Sequence, residues 1–276
     1  MTPPYMYKDL CKKLQEGTTI KTFSDFAYRR GKKPFEIPTE EIIDKKIIML
    51  RHDVDYYPEL AYQMACVEAD QGIRSTYYIL TTDSGSKWWE DIPLRRSHLK
   101  RIAEIQSMGH EVGLHYDFFG DYFCDGVFPR DNIENILSEF SAAGIEIVGS
   151  AAHGSLRMRK ILGAINGTAY PKDYVNYNIW EECNTKGAEL FANGRKLRSP
   201  ALSLKEYGLR YEAYWITRDW YFSDSRGKFW AQGRIPRTVK EQDKTQLHPH
   251  QAIAMMREGE VMQILIHPIW WKDYLT

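Results

Sequence analysis

The sequence predicts an α/β fold in which parallel strands alternate with helices, and three observations support it. From about residue 46 onward, short apolar runs alternate with amphipathic stretches of helical length. The apolar runs have the composition of buried strands, which pair in parallel when helices cross between them. Candidate strands number about seven, which suits a β/α barrel, although an open doubly wound sheet would show the same alternation.

The elements follow a regular order in the first part of this region. The first predicted helix has Pro58 at its start and Gly72 at its stop. The next predicted helix is stopped in the same way by Gly109. The predicted strands are 46–53, 73–80, 110–116 and 145–153. The predicted helices between them are 58–72, 94–109 and 131–144.

The second part of the chain is less regular between residues 155 and 215. One strand is predicted within 201–217 and another at 219–225. A helix at 248–259 and an apolar strand at 260–268 complete the pattern.

Two parts of the chain are expected from this organisation. Residues 1–45 form a polar, partly helical N-terminal extension, and residues 46–276 form a single barrel domain. Neither an internal repeat nor a low-complexity linker divides the second part. Lys+Arg and Asp+Glu balance at 37 each, so no long-range field favours nucleic acid or an anionic membrane surface as a partner.

A cytoplasmic location is expected from the cysteines and the hydropathy pattern. The N-terminus lacks the apolar region of a secretory signal, and no apolar run is long enough to span a membrane. The four cysteines lie far apart without a CxxC motif, which suits reduced thiols better than a disulfide framework or a zinc ribbon.

Polar side chains terminate several of the predicted strands. In an α/β fold the carboxyl ends of the strands meet at one mouth, so these distant residues are expected to converge there. His52 and His98 are interpreted as surface or capping residues outside the site. The converging residues are Asp53, Asp55, His115, Asp117, His153, Asp224 and His267.

This residue set predicts metal-assisted hydrolysis of an amide or ester. Two imidazoles and one carboxylate hold a divalent metal and leave a coordination position open. A second carboxylate beside the metal can act as general base, and a further histidine can protonate the leaving group. The residues that can fill the roles of metal ligand, general base and proton donor are Asp53, Asp55, His115, His153 and His267.

Four motifs, "LRHDVD", "GHEVGLHYD", "AAHGS" and "ILIHP", resemble in this order those of the polysaccharide deacetylases, carbohydrate esterase family 4. The resemblance covers roughly residues 46–270. It implies a distorted (β/α)7 TIM-like barrel that removes N- or O-acetyl groups from sugars. It also implies a divalent metal, with zinc favoured and manganese, iron, cobalt or nickel as alternatives.

The resemblance assigns roles to individual residues. Asp53 matches the catalytic base and Asp55 a metal ligand, although Val54 here separates two aspartates that are usually adjacent. His267 matches the general acid, and Asp224 is expected to hold its imidazole in the working tautomer.

The second motif departs from the family pattern. His115 matches its first histidine, but Phe119 occupies the second position and cannot bind a metal. His153, at the end of the next strand, is the predicted replacement. The predicted ligands are therefore Asp55, His115 and His153.

Other contacts follow from the resemblance with alternatives left open. The arginine that contacts the base is either Arg157 or Arg51. The predicted substrate-binding residues are Arg51, Asp117, Arg157 and Trp230. The expected substrate is an acylated sugar, sugar nucleotide or glycan, and the oligomeric state is not predicted.

Two other functions are compatible with parts of the pattern. A catalytically silent metal- or glycan-binding barrel would explain Phe119. A nucleotide-sugar glycosyltransferase would use Asp53 and Asp55 as an Asp-x-Asp motif, but it has no evident use for histidines at three other strand ends.

Overall fold

The structure of the chain is a computed structural model. It describes residues 6–26, 43–81, 96–154, 157–158, 179–183, 188–192, 195–216, 218–224, 230–233 and 248–275.

The described residues contain helices and strands in alternation. The helices are α1 (Tyr7–Gln15), α2 (Pro58–Ala69), α3 (Arg96–Ser107), α4 (Phe118–Asp125), α5 (Pro129–Ala142) and α6 (Pro249–Met255). The strands are β1 (Thr19–Lys21), β2 (Ile47–Val54), β3 (Thr76–Leu80), β4 (Glu111–Tyr116), β5 (Ser150–Ala152), β6 (Ala188–Ala192), β7 (Arg195–Ser199), β8 (Trp220–Ser223), β9 (Trp230–Gly233) and β10 (Val261–Ile266). Short 3-10 helices cover Ala213–Trp215 and Pro268–Trp271.

The main sheet has the strand order β5-β4-β3-β2-β10-β8-β9, and β1 also pairs with β2. All of these pairings are parallel except that of β8 with β9. The sheet curls into a half-barrel with helices packed against it. The predicted α/β fold of parallel strands is therefore confirmed.

Strand β2 lies at the centre of this sheet, and all of its residues are buried. Along one side it pairs with β10 from Ile47 to His52. On its other side it pairs with β1 at its beginning and with β3 from Arg51 to Val54. The polar end of β2 is therefore held between β10 and β3 at the carboxyl edge of the sheet.

The two faces of β2 enter different hydrophobic clusters, as expected for side chains that alternate along a strand. Ile47 and Met49 pack in a cluster with residues of β3, β4 and α3. Ile48 and Leu50 pack in a second cluster with residues of α1, α6 and β10. Successive side chains at the polar end of the strand therefore point to opposite faces of the sheet.

Most predicted elements are confirmed, with the following differences. The strand predicted within 201–217 is wrong: the segment has a parallel bridge from Glu212 to Ser150 and then a 3-10 helix. The strand predicted at 145–153 is assigned only over Ser150–Ala152. Helix α4 was not predicted; it begins directly after β4, where Asp117 caps it. An antiparallel hairpin, β6–β7, forms within the irregular region.

The N-terminal residues are built into this structure. Strand β1 extends the sheet by pairing with the start of β2. On α1, Tyr7, Leu10 and Leu14 are fully buried and pack in the same cluster as Met64 of α2.

Across the parts of the chain that the structure describes, none of the helices has both the length and the apolar character needed to cross a membrane.

Candidate metal centre

The carboxyl ends of the parallel strands bring the predicted polar residues to one edge of the sheet. Each residue lies within a strand's last residues or directly after it, because the apolar part of the strand is buried and the chain turns there. The residues and their strands are Asp53 in β2, Asp55 directly after β2, His115 in β4, His153 after β5, Asp224 after β8 and His267 after β10.

Asp55, His115 and His153 form a compact cluster. Each offers one ligand atom, and these atoms all lie within 4.8 Å of one another. His115 Nε2 lies 3.3 Å from Asp55 Oδ1, and the two imidazole rings are perpendicular with centroids 5.0 Å apart. The structure therefore brings together the three residues that the sequence predicts as ligands.

The orientation of His115 is fixed by the neighbouring strand. Its Nδ1 lies 2.7 Å from the carbonyl oxygen of Ala151 on β5, so Nδ1–H donates to that oxygen. Nε2 is then directed at the aspartates and can present its lone pair. Burial opposes a charged ring, but the charges of Asp53 and Asp55 raise the pKa of His115.

The protonation preferences of the other two residues suit a metal site. Burial lowers the pKa of His153, which favours the neutral imidazole. Burial opposes ionisation of Asp55, but the hydrogen bond and charge of His115 outweigh it and lower the pKa of this carboxyl. Divalent metals bind ionised carboxylates and imidazole nitrogens that carry no proton, so the donor set fits such an ion when the ion replaces the proton of His115 Nε2.

Phe119 lies where the family motif has its second histidine, and it takes a different position. It belongs to the first turn of α4, is fully buried, and packs near Phe123 with ring centroids 6.0 Å apart. His153 thus supplies the second imidazole of the cluster from another strand.

Asp53 is held by Arg51 from the same face of β2. Nε and Nη2 of Arg51 donate to the two carboxylate oxygens over 2.6 and 2.7 Å. Arg51 is fully buried, and its guanidinium stacks over Tyr214 at 4.7 Å and Tyr78 at 5.2 Å. Burial opposes ionisation of Asp53, but this bidentate pair holds the pKa of the carboxyl well below its usual range. Asp53 Oδ2 lies 3.5 Å from His115 Nε2.

Of the two candidate arginines, Arg51 contacts Asp53, whereas Arg157 binds a different set of carboxylates. The Arg157 guanidinium binds Asp117 at 3.2 Å and Asp121 at 2.6 Å, and it also binds Asp125. Asp117 is fully buried and accepts the backbone N–H of Gly120 as the cap of α4. These contacts stabilise α4, so they argue against a direct contact between Asp117 and a substrate.

Trp230, the remaining predicted substrate contact, begins β9. Its side chain lies outside the described part of the structure.

His267 is oriented by Asp224, as predicted. Its Nδ1 lies 2.6 Å from Asp224 Oδ1, and its backbone N–H donates to both oxygens of the same carboxylate. Burial would lower the pKa of the imidazole, but Asp224 raises it to about 9. Nε2 of His267 points towards the cluster and lies 3.8 Å from Asp55 Oδ2.

Two supporting residues were missed by the sequence reasoning. Glu212 is fully buried and accepts hydrogen bonds from Ser150 Oγ at 2.7 Å and Ala152 N at 3.0 Å, which anchors β5 just before His153. A single carboxylate inside the aromatic run 211–216 was the available signal. Trp271 donates to Asp224, and the sequence offers no signal for this contact.

His52 was interpreted as a surface or capping residue, and this is wrong. It is fully buried on the opposite face of β2, where its Nε2 lies 2.7 Å from Glu68 Oε1. Its placement outside the candidate site agrees with the structure.

Comparisons with known proteins give remote structural likeness only. No protein-family model and no curated protein matches the chain. Solved structures that match include the catalytic domain of a peptidoglycan N-acetylglucosamine deacetylase from Eubacterium rectale ATCC 33656, with 14% identity and a TM-score of 0.44, covering 82% of this chain and 77% of that one. The chitin deacetylase of the fungal pathogen Colletotrichum lindemuthianum matches with 10% identity and a TM-score of 0.44, covering 89% and 82%.

A Streptococcus mutans CE4 esterase also matches, with 11% identity and a TM-score of 0.39, covering 86% of this chain and 85% of that one. Identities and TM-scores this low say nothing about the substrate or activity of this chain. Both have to be inferred from its own residues.

Proposed function

We propose that the protein is a metal-dependent hydrolase that removes an acyl group, acetyl above all, from an acylated sugar, sugar nucleotide or glycan. One observation carries the proposal: a three-residue ligand cluster lies between an ionised carboxylate and a carboxylate-bound histidine. Asp53 approaches the cluster through His115, and His267 approaches it through Asp55. This is the arrangement required by a base and an acid that act on opposite parts of one scissile bond.

Asp55, His115 and His153 would hold the metal. Two imidazole nitrogens and one carboxylate oxygen favour zinc, with manganese, iron, cobalt or nickel as alternatives. When bound, such an ion polarises a carbonyl oxygen and makes a water molecule more acidic. The Asp55 side chain retains 12% exposure, so the cluster lies at a partly exposed edge of the structure.

Asp53 is the proposed general base. Because Arg51 binds both of its oxygens, the carboxylate is fixed in direction and remains ionised at neutral pH. A water molecule that attacks an acyl carbon beside the cluster lies within reach of Oδ2 and can transfer its proton there. Arg51 is in this view a positioning residue for the base rather than a substrate contact.

His267 is the proposed general acid. The Asp224 carboxylate keeps the imidazole protonated at neutral pH and directs Nε2 towards the cluster. The Nε2 proton can therefore pass to the leaving nitrogen or oxygen as the acyl bond breaks.

The substrate class rests on the motif resemblance described above. A nucleotide-sugar glycosyltransferase is less well supported, because it has no evident use for the histidines His115, His153 and His267 that meet at this site. All four cysteines are free thiols, which fits the reducing cytoplasm as the proposed location.

Acyl release in the presence and absence of metal tests the proposal. The metal is removed with a chelator, its removal is verified by elemental analysis, and acetate release is assayed on N- and O-acetylated sugars and sugar nucleotides. We expect activity to disappear and to return with zinc, and Asp55→Ala to stay inactive under both conditions. Full activity after verified metal removal would overturn the proposal. Tight zinc binding without turnover of any substrate would instead identify a catalytically silent barrel.

A further inference from the structure

The carboxylate that orients His267 is itself clamped by a second side chain. Asp224 is fully buried, and its Oδ1 accepts the imidazole Nδ1–H of His267 over 2.6 Å. Its Oδ2 accepts the indole Nε1–H of Trp271 over 3.1 Å. The two oxygens thus have different side-chain donors, and these donors come from one short segment that follows β10.

The indole of Trp271 is fixed as firmly as the carboxylate it binds. Trp271 is fully buried at the end of the 3-10 helix Pro268–Trp271. The ring of Tyr7 on α1 packs edge-on against it, with centroids 5.2 Å apart and planes at 71°. Its carbonyl oxygen accepts the backbone N–H of Tyr274, and the carbonyl oxygen of Tyr274 accepts that of Tyr7. Helix α1 therefore braces the segment that contains Trp271.

The contact has a geometric consequence for His267. The imidazole and the backbone N–H of His267 both bind this carboxylate, so a carboxylate held by residue 267 alone can turn about its Cβ–Cγ bond together with that residue. A directional donor from another residue restricts this motion. Misplacement of a catalytic group by a fraction of an ångström is enough to reduce the rate of the chemical step.

We propose that Trp271 is a positioning residue for the acid His267, acting through Asp224 and braced by Tyr7 of the N-terminal helix. The catalytic part of this inference rests on the proposed function, in which His267 protonates the leaving group. The structural part, that the indole N–H fixes the Asp224–His267 pair, does not depend on any reaction.

The matched control is the adjacent residue. Trp270 lies in the same 3-10 helix, but its side chain is 41% exposed, so Trp270→Phe removes an indole N–H without touching Asp224. Trp271→Phe keeps an aromatic ring that can pack on Tyr7, and it removes the donor together with the larger volume of the indole. We expect Trp271→Phe to lower kcat about tenfold, the loss typical of an outer partner of a catalytic group, with KM little changed. Trp270→Phe should leave both parameters at the parent values.

A double-mutant cycle separates positioning from packing. In the Asp224→Asn background the acid is already misplaced, so Trp271→Phe should lower kcat by less than about twofold further. A full tenfold loss in that background would show that Trp271 acts through packing alone and would overturn the inference.

A spectroscopic measurement does not require activity. The downfield Nδ1–H resonance of His267, assigned by its loss in His267→Gln, should shift or broaden in Trp271→Phe and stay unchanged in Trp270→Phe. An unchanged resonance in Trp271→Phe would contradict the positioning role even if the parent hydrolyses nothing. If the phenylalanine variant does not fold, benzothienylalanine at position 271 keeps the indole shape without the N–H, and the same two outcomes apply.

Discussion

Two polar networks lie on the two faces of β2, and they differ in how far their residues are exposed to solvent. On one face Arg51 and Asp53 lead to the candidate metal centre formed by Asp55, His115 and His153. On the other face lies a set that we call the Glu68 network. Its members are Tyr7, His52, Glu68, Ser75 and Tyr77.

In the Glu68 network, protein side chains contact both oxygens of the Glu68 carboxylate. Oε1 contacts His52 at 2.7 Å and also accepts the hydroxyl of Tyr7. Oε2 accepts the hydroxyls of Ser75 at 2.5 Å and Tyr77 at 2.8 Å. All of these residues are fully buried.

At the candidate metal centre the contacts between histidines and carboxylates are longer, and two of the residues are partly exposed. His115 Nε2 lies 3.3 Å from Asp55, and Asp55 and His267 retain 12% and 13% exposure. A buried histidine–carboxylate contact by itself is therefore no sign of function, because this chain has one on each face of the same strand. What distinguishes the candidate site is that its donor atoms converge within 4.8 Å of one another and that Asp55 and His267 are partly exposed.

The largest effect is expected when a ligand is removed from the candidate metal centre. Asp55→Ala should lower both zinc affinity and acyl release at least about a hundredfold, since a direct ligand contributes more than its outer partners. The free energy of unfolding of the metal-free protein should change by less than about 1 kcal/mol, because the site is partly exposed. Zinc calorimetry and denaturant titration measure the two quantities. Zinc affinity at the parent level would contradict the ligand role.

The next largest effect is expected at His267, and it distinguishes the proposed acid from the proposed metal ligands. His267→Gln should reduce kcat about 10²- to 10⁴-fold, the usual contribution of a general acid, with zinc affinity unchanged. Asp224→Asn is the matched variant: it retains the imidazole but loses the carboxylate that holds it, so its loss should be smaller. A variant of His267 that loses zinc together with activity would place His267 among the ligands instead.

A substitution in the Glu68 network should change the free energy of unfolding but neither zinc affinity nor kcat. Glu68→Gln leaves His52 without its buried carboxylate, which costs about 3 kcal/mol of unfolding free energy. Zinc affinity and kcat should stay at parent values in the folded variant. Chemical denaturation of Glu68→Gln and Asp55→Ala side by side tests this, and equal stability of Glu68→Gln and parent would remove the contrast between the two faces.

A smaller effect is the acid dependence of this stability. Burial opposes ionisation of Glu68, but His52 outweighs it and lowers the pKa from 4.5 to about 2. A lowered folded-state pKa contributes stability above the unfolded value that is lost as pH falls. The parent should therefore lose stability between pH 4.5 and about 2 in excess of Glu68→Gln. Parallel pH dependences for the two proteins would show that Glu68 makes no such contribution.

The position of the candidate site could be predicted from the sequence, because polar residues follow apolar strands. This rule depends only on parallel strands having a common edge, and it placed Asp55, His115 and His153 near one another before the structure was known. The fold itself could be predicted for the same reason: β2, β3, β4 and β10 are strongly apolar strands followed by turns.

Pairings inside the site could not be predicted in full. Arg51 and Asp53 share a face of β2, which the period of a strand allows, but the sequence offered Arg157 equally well. The donor role of Trp271 depends on how a 3-10 helix turns after β10, and local pattern carries no information about that. The Glu68 network was missed because its members come from α1, β2, α2 and β3.

The most direct test of the metal centre is a crystal structure of the zinc-loaded protein with an anomalous difference map at the zinc edge. We predict one strong peak within about 2.0–2.2 Å of a carboxylate oxygen of Asp55 and of one ring nitrogen each of His115 and His153. Asp53 should remain on Arg51, outside the coordination sphere. A fully loaded crystal with its peak at other residues, or with Asp53 as a ligand in place of His153, would contradict the proposed centre.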